Sequence, residues 1–268
     1  MVEMVVVIAI AGIVASMVAV FIRSPVQAYV DTARRARLTE AADTALRRLA
    51  RDLRTALPNS VRVTAVGTTM YLEFIPTVGG GRYRQYPTAA GGGNPLDFSS
   101  ADGAFDVIGP VPVYGNTHQV VVFNLGPGSA ADAYAGNNRA AVTSSNANAA
   151  LFSTDTAAHT LTFAATTFPQ PSPAARFHLV DTPVTYECNP GAGELRRYRA
   201  YPFSTVQPMP PGAGGVAEVL AAGVAECTIA YDPSVTRTRT GLVTLWIRLE
   251  EEGESVRLVH QVHVQNLP

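Results

Sequence analysis

The sequence predicts an α+β chain: a long N-terminal helix, membrane-spanning in its first half and amphipathic in its second, packed on an antiparallel β-sheet domain. Three observations carry this expectation. Met4 to Ile22 is a run of nineteen uncharged, mostly aliphatic residues. Residues 26–57 continue with a helical apolar period, and beyond Pro58 that period shortens to two.

As a helix, the first run rises about 28 Å at ~1.5 Å per residue, close to the ~30 Å hydrocarbon core of a bilayer. One carboxylate, Glu3, stands at its start, and no basic residue precedes it. A secretory signal peptide has a basic start, a shorter apolar stretch and a small-residue cleavage site, whereas this run passes through Arg23 into further helical sequence. The expected organisation is therefore a transmembrane half over 1–25 and a soluble head over 26–268. The head divides into an amphipathic helix, 26–57, and a β-rich region, 59–268. In that helix Leu46, Leu49, Leu53 and Leu57 recur at three- and four-residue intervals, Ala42 and Ala45 extend the stripe, and Arg47, Arg48, Arg51 and Arg54 fall mainly on other faces. Asp43 can pair with Arg47 and Arg48 with Asp52, Pro58 stops the helix, and Pro25 predicts a bend.

Strand signals begin with "VRVTAVGTTMYLEFIP", a hairpin around Gly67-Thr68. "HQVVVFNLG", "HTLTFA" and "RFHLVDTPVTYEC" are further strands. The clearest pair closes the chain: Val243, Leu245, Ile247 and Leu249 share one face, Val256, Leu258, Val262 and Val264 share one face of the next strand, and an acidic turn joins them. The Gly- and Pro-rich stretches 79–95, 126–150 and 207–215 read as long loops.

Composition excludes several function classes. The 20 basic residues are all arginine and the 21 acids bring the net charge to -1, so bulk charge does not point to nucleic acid. A lysine-dependent phosphate loop is impossible, and neither G-x-S-x-G nor H-E-x-x-H occurs. "GAGGVA" at 212–217 follows "VQPMPP" rather than a strand, which removes the strand-turn-helix a dinucleotide needs. His260 and His263 point to opposite faces of one strand and cannot chelate one metal; His260 falls on the apolar face. His118, His159 and His178 are scattered. The reading is no catalytic centre, no cofactor and no metal site. "EEEGE" at 250–254 reads as a solvated hairpin tip, with a calcium loop as the alternative. In "GGGRYRQYP", Arg82, Tyr83, Arg84 and Tyr86 alternate as in a stacking platform and form a candidate surface ligand loop. Cys188 and Cys227 lack zinc or redox spacing; bonded, they close a loop of about 40 residues, on the order of 4 kcal/mol in the chain-entropy description, and would persist in an oxidising compartment.

"MVEMVVVIAIAGI" resembles the mature start of type IV pilins and type II secretion pseudopilins, F-T-L-[VI]-E followed by an apolar helix. Met1 then stands at the family's Leu and Glu3 at its glutamate, and the expectation is that a basic leader, the cleavage-site Gly, the Phe and the Thr lie upstream of a misassigned start. "PVQAYVDTARRARLTEAADTALRRLARDLRTALPNSVRV", "GGGRYR", "FDVIGPV", "RFHLVDTPVTYEC", "LAAGVAECTIAYD", "GLVTLWIRL" and "VRLVHQVHVQNLP" are similar to the O-type minor pilins of mannose-sensitive haemagglutinin (MSHA) pili. The resemblance implies a pilin-like fold and a non-enzymatic subunit acting in pilus assembly or initiation, with adhesion as a further role. Glu3 would neutralise the α-amine of an adjacent subunit and set register. Implied partners are other major and minor pilins, prepilin peptidase, the pilus assembly platform and the inner membrane before assembly. The implied location is a single pass in the inner membrane with a periplasmic head, then the cell-surface pilus. Arg23, Arg34, Arg35 and Arg37 by themselves favour the opposite orientation, a conflict that basic residues upstream would resolve. The alternatives are a J-type minor pseudopilin of a type II secretion system, or a membrane-tethered periplasmic glycan- or calcium-binding protein.

Overall fold

The computed structural model describes residues 2–146, 160–212, 214–233 and 240–268. Helix α1 (Val2–Leu53) runs unbroken through Pro25. Its buried stripe starts at Leu38 and continues through Ala42, Ala45, Leu46, Leu49, Ala50 and Leu53. Small alanines between the leucines let the helix axis approach the strands below it. Leu57 is buried just past the helix end, where the Leu57 N–H donates to the Ile75 carbonyl at 2.7 Å.

The strands follow as β1 (Arg62–Val66), β2 (Thr69–Phe74), β3 (Thr77–Tyr83), β4 (Asp102–Ile108) and β5 (Gln119–Val122). Next come β6 (Arg139–Ala141), β7 (Thr160–Thr166), β8 (Arg176–Val180), β9 (Val184–Asn189) and β10 (Glu194–Arg199). β11 (Val216–Ala222), β12 (Val224–Asp232), β13 (Thr240–Glu251) and β14 (Glu254–Gln265) complete the chain. They form three antiparallel sheets: β1-β2-β9-β10-β11, β12-β13-β14 and β6-β5-β8-β3-β4-β7. The helix stripe shares one core with the first two sheets, filled by Leu72, Phe74, Leu245, Ile247 and Leu249 among others. On the terminal hairpin Val262 and Val264 are buried and Val256 and Leu258 partly so. The six-stranded sheet carries its own core around Tyr83, Phe105, Phe163, Phe168 and Phe177, whose rings meet at tilted angles with centroids 5.1 to 6.0 Å apart. Leu57, Ile75, Val121, Tyr134 and Val180 fill a third, smaller cluster.

This architecture corrects the expected fold class. The chain is mostly β, in three antiparallel sheets, rather than α+β with a membrane-spanning half-helix on one sheet domain. Among the described residues no helix is long and apolar enough to cross a membrane. The transmembrane assignment and the single-pass inner-membrane location are withdrawn on that ground. Met1, which the resemblance aligned with a leucine, lies outside the described residues, as do residues 147–150 of the expected loop 126–150, residues 151–159 including His159, and Ala213 of "GAGGVA".

Part of the sheet content comes from a stretch expected as loop. Gly79, Gly80 and Gly81 sit inside β3. A Cβ on Gly80 would stand 2.8 Å from the Phe177 carbonyl oxygen, and one on Gly81 2.9 Å from the Phe177 ring, so glycine is what allows β3 to lie against β8.

Two buried carboxylates organise the five-stranded sheet. Glu73 accepts from Arg62 Nε at 2.6 Å and from the Tyr201 hydroxyl at 3.0 Å, and that hydroxyl shares a 2.6 Å hydrogen bond with Thr185. Arg62 also donates to the carbonyls of Ser204 and Thr205 and stacks over the Tyr134 ring. Glu187 accepts from Tyr198 at 2.6 Å and from Tyr71 at 3.3 Å.

His178, on β8 between β3 and β5, has no hydrogen-bond partner for Nε2 among the described residues. Burial, aided by Arg176, pushes its pKa down to about 4. The unfolded chain takes up this proton near pH 6.5, whereas the folded protein does so only near 4, so falling pH favours unfolding across that window. Wild type should lose up to about 3 kcal/mol from this group between pH 6.5 and 4. His178→Leu should flatten that part of the profile in urea titrations followed by circular dichroism.

Candidate assembly surface

The first half of α1 presents apolar side chains to solvent all around its circumference. Val5, Ile8, Ile10, Ile13, Met17 and Phe21 are all exposed, Met17 to 68 % and Phe21 to 83 %. A helix apolar on all sides is stable only where something covers it. Glu3 is exposed in its first turn, where a carboxylate suits the positive end of the helix dipole.

Where the helix meets the head, its charges are taken up by the hairpin between β13 and β14. Arg34 pairs with Glu252, Arg35 with Glu254, and Arg37 with Glu251 at 3.7 Å. The Arg34 side chain is only 12 % exposed and also reaches Asp31 at 3.4 Å. Glu250 pairs with Arg248, which reaches Glu226 at 3.0 Å. A second ionic group holds the far end: Arg48, Arg197 and Arg199 surround Glu218, while Asp52 accepts from Arg197 at 2.8 Å and from the Tyr186 hydroxyl at 2.7 Å. Between these ends lies the apolar stripe, so the direction in which the exposed half-helix leaves the head is fixed at both ends of the packed segment.

The "EEEGE" carboxylates thus lie against arginines. Among the described residues no cluster of three or more His, Cys, Asp or Glu could hold a metal ion. His260 is half-buried on the side of β14 that bears Val262 and Val264, and His263 is exposed. Cys188 and Cys227 form a disulfide, with Cα atoms 6.4 Å apart, that joins β9 of the five-stranded sheet to β12 of the three-stranded one. The alternating loop residues separate in space. Tyr83 is buried in the aromatic core and donates to the Ser172 carbonyl, Arg84 pairs with Asp106 at 3.1 Å, Arg82 is exposed at the end of β3, and Tyr86 is 77 % exposed beyond it.

Sequence reasoning missed the helix–hairpin ion pairs, although their signal was present: three arginines in four residues and four acids in five. It also missed the Glu73 and Glu187 networks, whose signal is a carboxylate inside each apolar strand, "YLEF" and "VTYEC".

Compared with protein-family models, curated proteins and solved structures, the chain matches none.

The Arg35 hydrogen bond holds the Glu254 carboxyl below its ordinary pKa. For a depressed carboxylate the stabilisation is present above the unfolded value and is lost as pH falls through the folded one. Acidification, or ~0.5 M salt, should therefore loosen the hairpin from the helix. In the double variant Glu252→Gln/Glu254→Gln, amide exchange over residues 31–40 should speed up roughly threefold or more at neutral pH and low salt. High salt should bring wild type toward the variant.

Proposed function

We propose that this chain is a filament subunit of the type IV pilin kind, a minor pilin of an MSHA-type pilus that acts in assembly or initiation through its first half-helix. The observation that supports this most is the contrast within α1: an exposed apolar half followed by a half whose stripe is buried by its own sheets. The exposed half gains its stabilisation when helices of neighbouring subunits cover it, and each aliphatic side chain so covered contributes about 1.5–3 kcal/mol. In this reading other major and minor pilins supply the covering helices, and the assembly platform brings them together. Glu3 meets the α-amine of a neighbour, a pairing that water-free surroundings would make strict in register. The role is structural, and no residue is assigned to a chemical step.

A charge placed in the covering surface tests the reading, because an unpaired buried arginine costs several kcal/mol. Ile10→Arg/Ile13→Arg in the full chain should lower incorporation into sheared pili by at least about tenfold, with the thermal unfolding of the head unchanged. Glu3→Ala should impair incorporation and Glu3→Asp should restore part of it. Equal incorporation of all variants with wild type would overturn the proposal.

A further inference from the structure

A cleft of about 480 Å³ opens beside the C-terminal end of α1, where the five- and six-stranded sheets approach each other. Its size lies in the range of small-molecule sites. Its walls come from the helix end, the link from β2 into β3, the turn from β8 to β9 and the end of β10, with Thr117 added from the segment before β5. None of the residues read from sequence as candidate ligand contacts lines it.

The cleft is lined by opposite charges that do not pair with each other. Arg197 and Arg199 share one side of β10 because strand side chains alternate. Both belong to the ionic group in which Arg48, Arg197 and Arg199 face Glu218 and Asp52, three positive charges against two negative. Arg199 pairs only with Glu218, which lies outside the cleft and is shared with the other two arginines, and the Arg199 side chain stays 48 % exposed. This wall therefore holds a cation in excess. On the turn from β8 to β9, Asp181 has no cationic partner among the described residues, and neither Arg197 nor Arg199 comes within ion-pair distance of it. Its Oδ1 accepts from the Thr182 N–H at 2.7 Å. Pro76, Val78 and Val184 supply the apolar part of the lining, and Val78 is 47 % exposed.

A simple anion would compensate the arginine wall and set a second negative charge near Asp181; a simple cation would do the reverse. A ligand without charge would engage neither excess. Only a molecule with one charge of each sign, held apart by an apolar chain, complements the whole lining. We propose that this cleft binds a short peptide of two or three apolar residues with both termini free, its α-carboxylate against Arg199 and its α-ammonium at Asp181. The carboxylate uses the guanidinium N–H groups that Glu218 leaves unoccupied. The hydroxyls of Thr117 and Thr182 serve the peptide groups, and the ligand side chains cover Pro76 and Val78. The inference stands on the cleft alone and does not depend on the filament reading.

Saturation-transfer NMR and calorimetry on the full chain test it, using Ala-Leu, Leu-Leu and Ala-Ala-Leu beside the blocked forms N-acetyl-Ala-Leu and Ala-Leu amide. At least one free peptide should bind with Kd below ~1 mM. Blocking either terminus should weaken binding roughly fivefold or more, because each removes one charge pair in a partly enclosed site. These comparisons use the wild-type chain and depend on no variant. Asp181→Asn keeps the shape of the exposed turn and removes its charge; it should bring Ala-Leu and N-acetyl-Ala-Leu to equal affinity, with the unfolding temperature unchanged. No binding by any of the three free peptides, blocked forms that bind as tightly as free ones, or a preference for the free amine that survives in Asp181→Asn would each overturn the proposal.

Discussion

Two of the three sheets are arranged around the need to bury one stripe of α1, from Leu38 to Leu53. The stripe is narrow, and a helix that offers only one apolar face needs a surface with matching alternation on the other side. The long β13–β14 hairpin supplies it: Val243, Leu245, Ile247 and Leu249 on one strand, Val262 and Val264 on the other. The ion pairs at either end contribute little by burial. Their effect is positional, because a helix could slide or rotate along a purely apolar seam by a residue at small cost. Arginines at 34, 35 and 37 facing acids at 251, 252 and 254 penalise that slippage.

The five-stranded sheet solves a different problem, that of attaching an irregular segment. Residues 200–207 contain no regular structure, so their backbone groups need partners from elsewhere. Arg62 provides them from β1, donating to two consecutive carbonyls while its charge is balanced by Glu73 on the adjacent strand. Burial raises the Glu73 pKa even against the pull of Arg62, the sign of a carboxylate whose solvation has been replaced rather than improved. Such a pair is weak evidence for net stability. It does specify geometry, since removing either partner leaves a buried charge alone.

Sequence periodicity located the helix stripe and the terminal hairpin because both are governed by local alternation. It could not reveal three sheets, since which strands neighbour one another is decided by contacts between distant segments: β2 lies beside β9, and β8 lies between β3 and β5. Composition misled at Gly79–Gly81, where glycine marks close strand approach rather than a loop. The same ambiguity affected "GGGRYRQYP". Alternation alone cannot tell a row of exposed aromatics from a strand that sends Tyr83 into a core. The cleft beside the C-terminal end of α1, lined by Asp52, Thr117, Asp181 and Arg197 among others, had no sequence signature at all, because its walls come from stretches separated by up to 148 positions, between Asp52 and Ala200.

The disulfide acquires a mechanical meaning from where it lies. A force on the exposed half of α1 first meets the three-stranded sheet, through its hairpin contacts with the helix, and then the five-stranded sheet, through Arg48 and Asp52. The Cys188–Cys227 bond leads from the three-stranded sheet directly into the five-stranded one. It therefore adds a covalent link between the two sheets, parallel to the side-chain packing that joins them. Under traction the two sheets would have to move as one body, and extension would be confined to the surfaces on either side of them.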